Sequence, residues 1–297
     1  MHVFGPDTDP AEVVRAIEAH EHFWLDLPLA LFVPDHPVAR ALGISPEKIE
    51  RLRRRHGRSF AMVEDDHAAI VFSGAVRDED RIVRVEVVVI AHEDGLITLR
   101  DGPCEALDAR RDSPRDLDAL GVLDALTDSL LTLAEQMEDQ VEEAENRILQ
   151  TRSRQSLAQL TKLRQQIADL LRITREQRGM VERNQDELAG VPTVYGDAER
   201  RVRDLEGHLA RATDAAESTR QTVAEALNLY LSISAENLTR IATVLLPLTV
   251  VSGFFGMNFT WMVDNIDSFW AFVGFGIGGM VGSVAGVRLY LRRKGYA

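Results

Sequence analysis

Two apolar runs stand at the carboxy-terminal end of the chain, separated by a linker of about ten residues, FTWMVDNIDS. Residues 241–257, IATVLLPLTVVSGFFGM, have about the minimum length of a spanning helix, roughly 17 residues. Residues 268–291, SFWAFVGFGIGGMVGSVAGVRLYL, form the second run, with Arg288 near its end. So short a linker predicts an antiparallel pair of membrane helices with both long termini on one side. Arg240 before the first run, and Arg292, Arg293 and Lys294 after the second, place that side in the cytoplasm. The expected location is a cell (inner or plasma) membrane, multi-pass, with both termini cytoplasmic.

The remainder is polar, which is why mean hydropathy averages only −0.12. The amino terminus, MHVFGPDTDP, has no basic region followed by an apolar stretch, so no signal peptide is expected. One cysteine, Cys104, cannot close an internal disulfide, in keeping with a reducing compartment. A formal charge of −13 excludes the basic surface that nucleic-acid binding needs and favours cations as visitors. No phosphate loop, nucleophile elbow or triad spacing is present, so an enzyme is not expected and no cofactor is implied.

Residues 1–115 read as a mixed α/β domain. HFWLDLPLALFV, residues 22–33, reads as one or two buried strands, and residues 46–57 as a helix capped by Ser45. Valine- and isoleucine-rich alternation from Ser59 to Gly102 predicts antiparallel strands of one sheet. Residues 116–191 read as a long helical hairpin with a break near 151–156, since 116–188 hold no proline and no glycine besides Gly121 and Gly179. From 197 to 258 a stalk helix is expected to run unbroken into the first span, about 241–258, some 85 Å in all. An extracytoplasmic loop, 259–267, the second span, 268–291, and a basic tail, 292–297, complete an α+β cytoplasmic domain followed by long α-helices and two C-terminal transmembrane helices.

Gly274, Gly278, Gly282 and Gly286 recur every four residues along the second span, a strip against which another helix can pack closely. On the first span a small or weakly polar stripe runs through Ser232, Ala235, Leu238 or Thr239, Ala242, Leu246, Thr249 and Gly253. A subunit with two spans builds a pore only by pooling copies, and such a stripe would line it. A plain helix-packing face is the other reading of the same residues.

At the outer end of the first run, PLTVVSGFFGMNF, with Gly256, Met257 and Asn258 as a Gly-Met-Asn motif, resembles the signature of the CorA magnesium transporter family. The likeness is densest from Tyr230 onward. Upstream it lies in the order of domains and in WLDL, residues 24–27, with ALGISPEKIE, residues 41–50. The resemblance implies a funnel-shaped homopentamer in the lipid bilayer, transporting divalent cations, Mg²⁺ first, with Co²⁺ or Ni²⁺ as further passengers. It implies that Asn258 rings the outer mouth and holds the metal through hydration water, with Gly256 and Met257 shaping that mouth. It further implies that Thr249, Leu246 and Leu238 face the pore, with Gly253 near it. Mg²⁺ gives up water reluctantly, and a carboxamide ring suits its hydrate. The wall has no carboxylate or histidine to strip the ion, while rings of Leu238 and Leu246 would dewet as an apolar gate.

Ala235 stands where many relatives carry a bulkier apolar residue, and TWMVDNID replaces a Met-Pro-Glu-Leu-like loop. Asp264 and Asp267 in that loop either concentrate cations at the mouth or only keep it soluble. Glu135, Glu138, Asp139, Glu142, Glu143 and Glu145 form an acidic run on the hairpin. It reads as a solvated face; cytoplasmic carboxylates that bind the transported ion as a regulatory ligand are what the family suggests. His20, His22, His36, His56, His67 and His92 show no ligand spacing, and the arginines from Arg51 to Arg58 suit pairing with neighbouring acids. Two alternatives stay open: a Zn²⁺ transporter of the same superfamily, and, from another class, a membrane-anchored coiled-coil scaffold or sensor.

Overall fold

The computed structural model describes residues 1–54, 59–63, 67–111, 117–151, 154–192, 194, 196–257 and 268–293. By contacts the chain divides into two units, Met1–Ala226 and Leu227–Ala297.

In the first unit the strands are β1 (His2–Phe4), β2 (Phe23–Pro28), β3 (Phe60–Val63), β4 (His67–Asp78), β5 (Arg81–His92) and β6 (Gly95–Arg100). They form one sheet in the order β1-β2-β6-β5-β4-β3. From β3 to β6 all pairings are antiparallel, as the alternation predicts, whereas β1, β2 and β6 pair in parallel, so the sheet is mixed. The run from His22 to Val33 supplies a single strand, β2, followed by a short 3₁₀ turn at Leu29–Leu31.

Both faces of the sheet are covered, which is why its central strands are apolar at nearly every position. Ala69, Val71, Val88 and Ile90 point to one face, where α1 (Pro10–Glu18), α2 (Pro37–Ala41) and α3 (Pro46–Arg54) pack. Ser45 caps α3 by accepting from the Lys48 N–H at 3.3 Å. Ile70, Phe72, Val87 and Val89 point to the other face. There α4 (Glu105–Arg111), α5 (Ala119–Thr151), α6 (Arg154–Arg183), α7 (Gln185–Ala189) and the start of α8 (Ala198–Phe255) meet them through Leu107, Leu123, Met180, Leu188 and Leu205. Each such buried side chain contributes about 1.5–3 kcal/mol.

Side-chain bonds fix how the long helices run. Arg77 on β4 donates to Gln140 at 2.6 Å and to Gln166 at 3.0 Å, and Arg147 reaches Gln159 at 3.4 Å, so α5 and α6 are antiparallel. Arg175 donates to Glu217 and Gln185 to Glu206, each at 2.7 Å, so α8 runs against α6 and therefore alongside α5.

In the second unit α8 continues to Phe255, and beyond the loop come a helical turn at Phe269–Ala271, a π-helical stretch at Phe272–Ile277 and a helix at Gly278–Arg293. Two stretches are long and apolar enough to cross a membrane, one within Ala198–Phe254 and one at Val273–Tyr290. The fold is thus an α+β domain, long helices and two C-terminal spans.

Candidate functional site

The first span exists as helix because the sequence offers no interruption between Gly207 and Gly253 except Pro247. Proline has no N–H, so the Thr243 carbonyl lacks its usual donor four residues on. Hydroxyl groups along the span bond back into the helix: Thr239 to the Ala235 carbonyl at 3.0 Å, Thr243 to Thr239 at 2.7 Å and Thr249 to Leu245 at 2.9 Å. Each hydroxyl proton is thereby satisfied without water, and each oxygen keeps acceptor capacity.

The span has two unlike faces. Thr243, Val244, Pro247, Leu248 and Val251 are half-buried. Val251 marks the side of the second span, since a Cβ added to Gly279 would lie 3.8 Å from its Cγ1. Ala235, Leu238, Ala242, Leu246, Thr249 and Gly253 are all exposed within the chain, Leu238 and Leu246 each at 69%. These six residues of the expected stripe therefore share the uncovered side.

At the carboxy-terminal end of the first span, Gly256 N–H donates to the Ser252 carbonyl at 3.0 Å and Met257 N–H to the Phe254 carbonyl at 3.3 Å, and the helix stops. Gly256 and Met257 are exposed. The last carbonyls of a helix have no intrahelical donors, and the helix dipole leaves partial negative charge there, roughly half an elementary charge. A cation approaching this end meets a favourable field. Asn258, Asp264 and Asp267 lie outside the described residues.

The second span meets the first through residues off its four-residue glycine strip. Gly274, Gly278 and Gly282 are exposed, and Gly286 as well, whereas Gly276 is buried and Gly279 faces Val251. The four-residue strip thus points away from the chain's own first span, and glycines off the strip make the close approach. Nothing in the periodicity distinguished Gly279 from its neighbours; only the position of Val251 does.

In the first unit the acidic run lies on α5 with Glu135, Glu138, Asp139, Glu142 and Glu143 exposed and Glu145 half-buried. Arg54 pairs with Glu50 at 2.8 Å, while Arg55 and Arg58 lie outside the described residues. His20 and His92 meet on Asp94, with Nδ1 atoms 3.2 and 3.7 Å from its carboxylate.

Comparison with known proteins agrees with this architecture. The family described as CorA-like Mg²⁺ transporter protein matches residues 22–293. The cobalt/magnesium transport protein CorA of Thermotoga maritima is 22% identical over 247 residues, covering 76% of this chain and 70% of that protein. The zinc transport protein ZntB of Yersinia enterocolitica is 27% identical over 155 residues, covering 50% of this chain and 46% of that one. Among solved structures, the complete CorA magnesium transporter of Methanocaldococcus jannaschii superposes with a TM-score of 0.68 at 17% identity, over 92% of this chain and 91% of that chain. With 22–293 matched as one stretch, the chain belongs to the CorA-like Mg²⁺ transporter family, whose members are transporters rather than enzymes.

Proposed function

We propose that the protein conducts divalent cations across a membrane, Mg²⁺ foremost and Co²⁺ or Ni²⁺ as further substrates, through a homopentameric pore lined by the first span. The observation that carries this reading is the sidedness of that span. The stripe of Ala235, Leu238, Ala242, Leu246, Thr249 and Gly253 is exposed, while the opposite side of the helix is the half-buried one that carries Val251. An apolar bilayer gives no reason to turn Thr249 and Gly253 outward, but a central passage shared by several copies does.

In this reading Asn258 forms an amide collar at the mouth, and its carboxamide hydrogen-bonds the waters an Mg²⁺ ion retains. Gly256 leaves the mouth wide, Met257 shapes it, and Asp264 and Asp267 draw cations toward it. The same ion serves as a regulatory ligand for cytoplasmic carboxylates. Both termini sit in the cytoplasm, following the positive charges that flank the spans.

The deciding experiment is ion uptake by liposomes holding the purified protein, followed with Mg²⁺- and Zn²⁺-sensitive dyes trapped inside. Mg²⁺ entry by the wild type and none by an equally assembled Asn258→Ala variant is the expected result; equal flux removes the collar. A second reading, Zn²⁺ transport, is favoured by the match to ZntB over half of the chain. Zn²⁺ entry without Mg²⁺ entry would establish it. A monomer or dimer in mild detergent, with no flux, would instead return the chain to a membrane-anchored scaffold.

A further inference from the structure

The described residues hold a cluster that the transport reading leaves unused. Asp124 and Asp128 lie one turn apart on α5, and His208 faces them from α8. His208 Nδ1 is 2.6 Å from Asp124 Oδ1 and 3.9 Å from Asp128 Oδ1, and one ligand atom from each residue falls within 4.8 Å of the others. The ring nitrogen is shut off from solvent and faces the Asp124 carboxylate, with which a protonated ring forms an ion pair. Beside the cluster is a cavity of about 210 Å³ lined by Leu120, Asp124, Arg201, Asp204, Leu205 and His208.

Basic groups face the cluster as well: Arg201 feels the Asp124 carboxylate, and Arg110 and Arg211 act on Asp128. The guanidinium in the cavity wall, Arg201, is engaged by Asp118, donating to Oδ1 at 2.8 Å and more closely to Oδ2. Two carboxylates one helical turn apart beside one imidazole are placed to share a cation.

We propose that Asp124, Asp128 and His208 of a single chain bind a divalent transition-metal ion, of the zinc, cobalt or nickel class, pinning α8 to α5. An imidazole with two carboxylates is a three-ligand set that leaves a fourth, water-filled position on a tetrahedral ion, and the adjoining cavity has room for that water. Imidazole selects against Mg²⁺, which prefers oxygen ligands and octahedral geometry. The site is thus chemically distinct from the proposed pore mouth, and it lies within one chain rather than between subunits.

The test uses the full-length protein, stripped with chelator, in the Asn258→Ala background so that ions at the pore mouth do not contribute. Zn²⁺ is titrated by calorimetry and Co²⁺ by visible absorption. The expected result is one ion per chain, a tetrahedral cobalt spectrum bleached by Zn²⁺ but not by Mg²⁺, and binding at least about tenfold weaker in His208→Ala and Asp124→Asn. Asp128 sits at the open edge with its side chain 58% exposed, so Asp128→Asn supplies the same readout should either of the others misfold. Absence of binding, an octahedral cobalt spectrum, or unchanged affinity in folded His208→Ala and Asp128→Asn proteins would overturn the proposal. Loss of ion flux in the parent protein has no bearing on these outcomes, so the two readings fail separately.

Discussion

Arg84 on β5 grips Glu176 on α6 with two nitrogens, Nη1 donating to Oε1 at 3.2 Å and Nη2 more closely to Oε2. The pair joins the sheet to the helical hairpin, with side chains only 17% and 26% exposed, and Ser59 N–H adds a third bond to the same carboxylate at 3.1 Å. Burial, the largest single influence on Glu176, pushes its carboxyl upward. Hydrogen bonds from Arg84 and Ser59, with the charges of Arg84 and Arg172, outweigh it and hold the group below the usual range. Because the folded value lies below the unfolded value of about 4.3, the contribution is complete above that pH and disappears as pH falls through the folded value. Glu176→Gln should cost about 1.5 kcal/mol at neutral pH and nothing at strongly acidic pH. Thermal midpoints of both proteins between about pH 7 and 3 check this; parallel curves would show that the pair adds no acid sensitivity.

Much of this architecture is written locally. Ile70 and Phe72 on one face of β4, with Ala69 and Val71 on the other, follow the two-residue period of a strand. The glycine-free run after Gly207 foretells helix, as does the apolar stretch from Ile241. What local pattern cannot carry is pairing at a distance. The parallel match of β2 with β6 depends on strands far apart in sequence, and no periodicity in either announces it. His208 escaped notice for the same reason, because its partners lie on another helix and the Asp124/Asp128 spacing is indistinguishable from a solvated face. The proposed mouth of the first span rests on resemblance, since a Gly-Met-Asn triplet has no physical signature of its own.

Gly95 opens β6 directly beside Phe23, and a Cβ there would sit 2.6 Å from the Phe23 carbonyl oxygen and 2.5 Å from its ring. The ring can rotate away, but the carbonyl is fixed by the ladder. Gly95→Ala should therefore destabilise the amino-terminal unit by about 1–3 kcal/mol. Adding Phe23→Leu should recover only part of that loss, because it relieves the ring and leaves the carbonyl. Chemical denaturation of the four proteins in the cycle gives the answer, and full recovery would place the conflict in the ring alone.

Leu246 and Leu238 carry the largest apolar surface on the exposed stripe of the first span. If these side chains ring a pore, they dewet it, and water must be admitted before a hydrated ion can pass. Leu246→Asn should raise resting cation flux in liposomes above wild type, with the oligomer unchanged in detergent. Leu248→Asn, on the half-buried face, should instead impair assembly, because its amide would be buried against apolar neighbours. Equal flux from Leu246→Asn and wild type would remove Leu246 from the gate.

Asp26 is the most demanding polar residue in the core. Its carboxylate is 1% exposed, accepts from Thr98 Oγ1 at 2.8 Å, lies 3.3 Å from Arg100 and receives a closer contact from Arg111, while Thr98 Oγ1 in turn accepts from Trp24 Nε1 at 3.0 Å. Trp24 and Asp26 belong to the WLDL segment whose likeness to the family is noted above, and the network ties β2 to β6 and α4. Asp26→Asn keeps an oxygen for Thr98 but leaves two guanidinium groups facing a neutral amide, at a cost of about 3–5 kcal/mol. Thr98→Val strands the indole N–H and should cost about 1–3 kcal/mol. Because the bonds share one hydroxyl, the double variant should lose less than the sum of the singles. Thermal unfolding measures these losses, and ion flux normalised to folded protein should match wild type in all three. Additive losses would show that the hydroxyl does not couple Trp24 to Asp26, and a flux defect in fully folded Asp26→Asn protein would give this carboxylate a part in transport that its burial argues against.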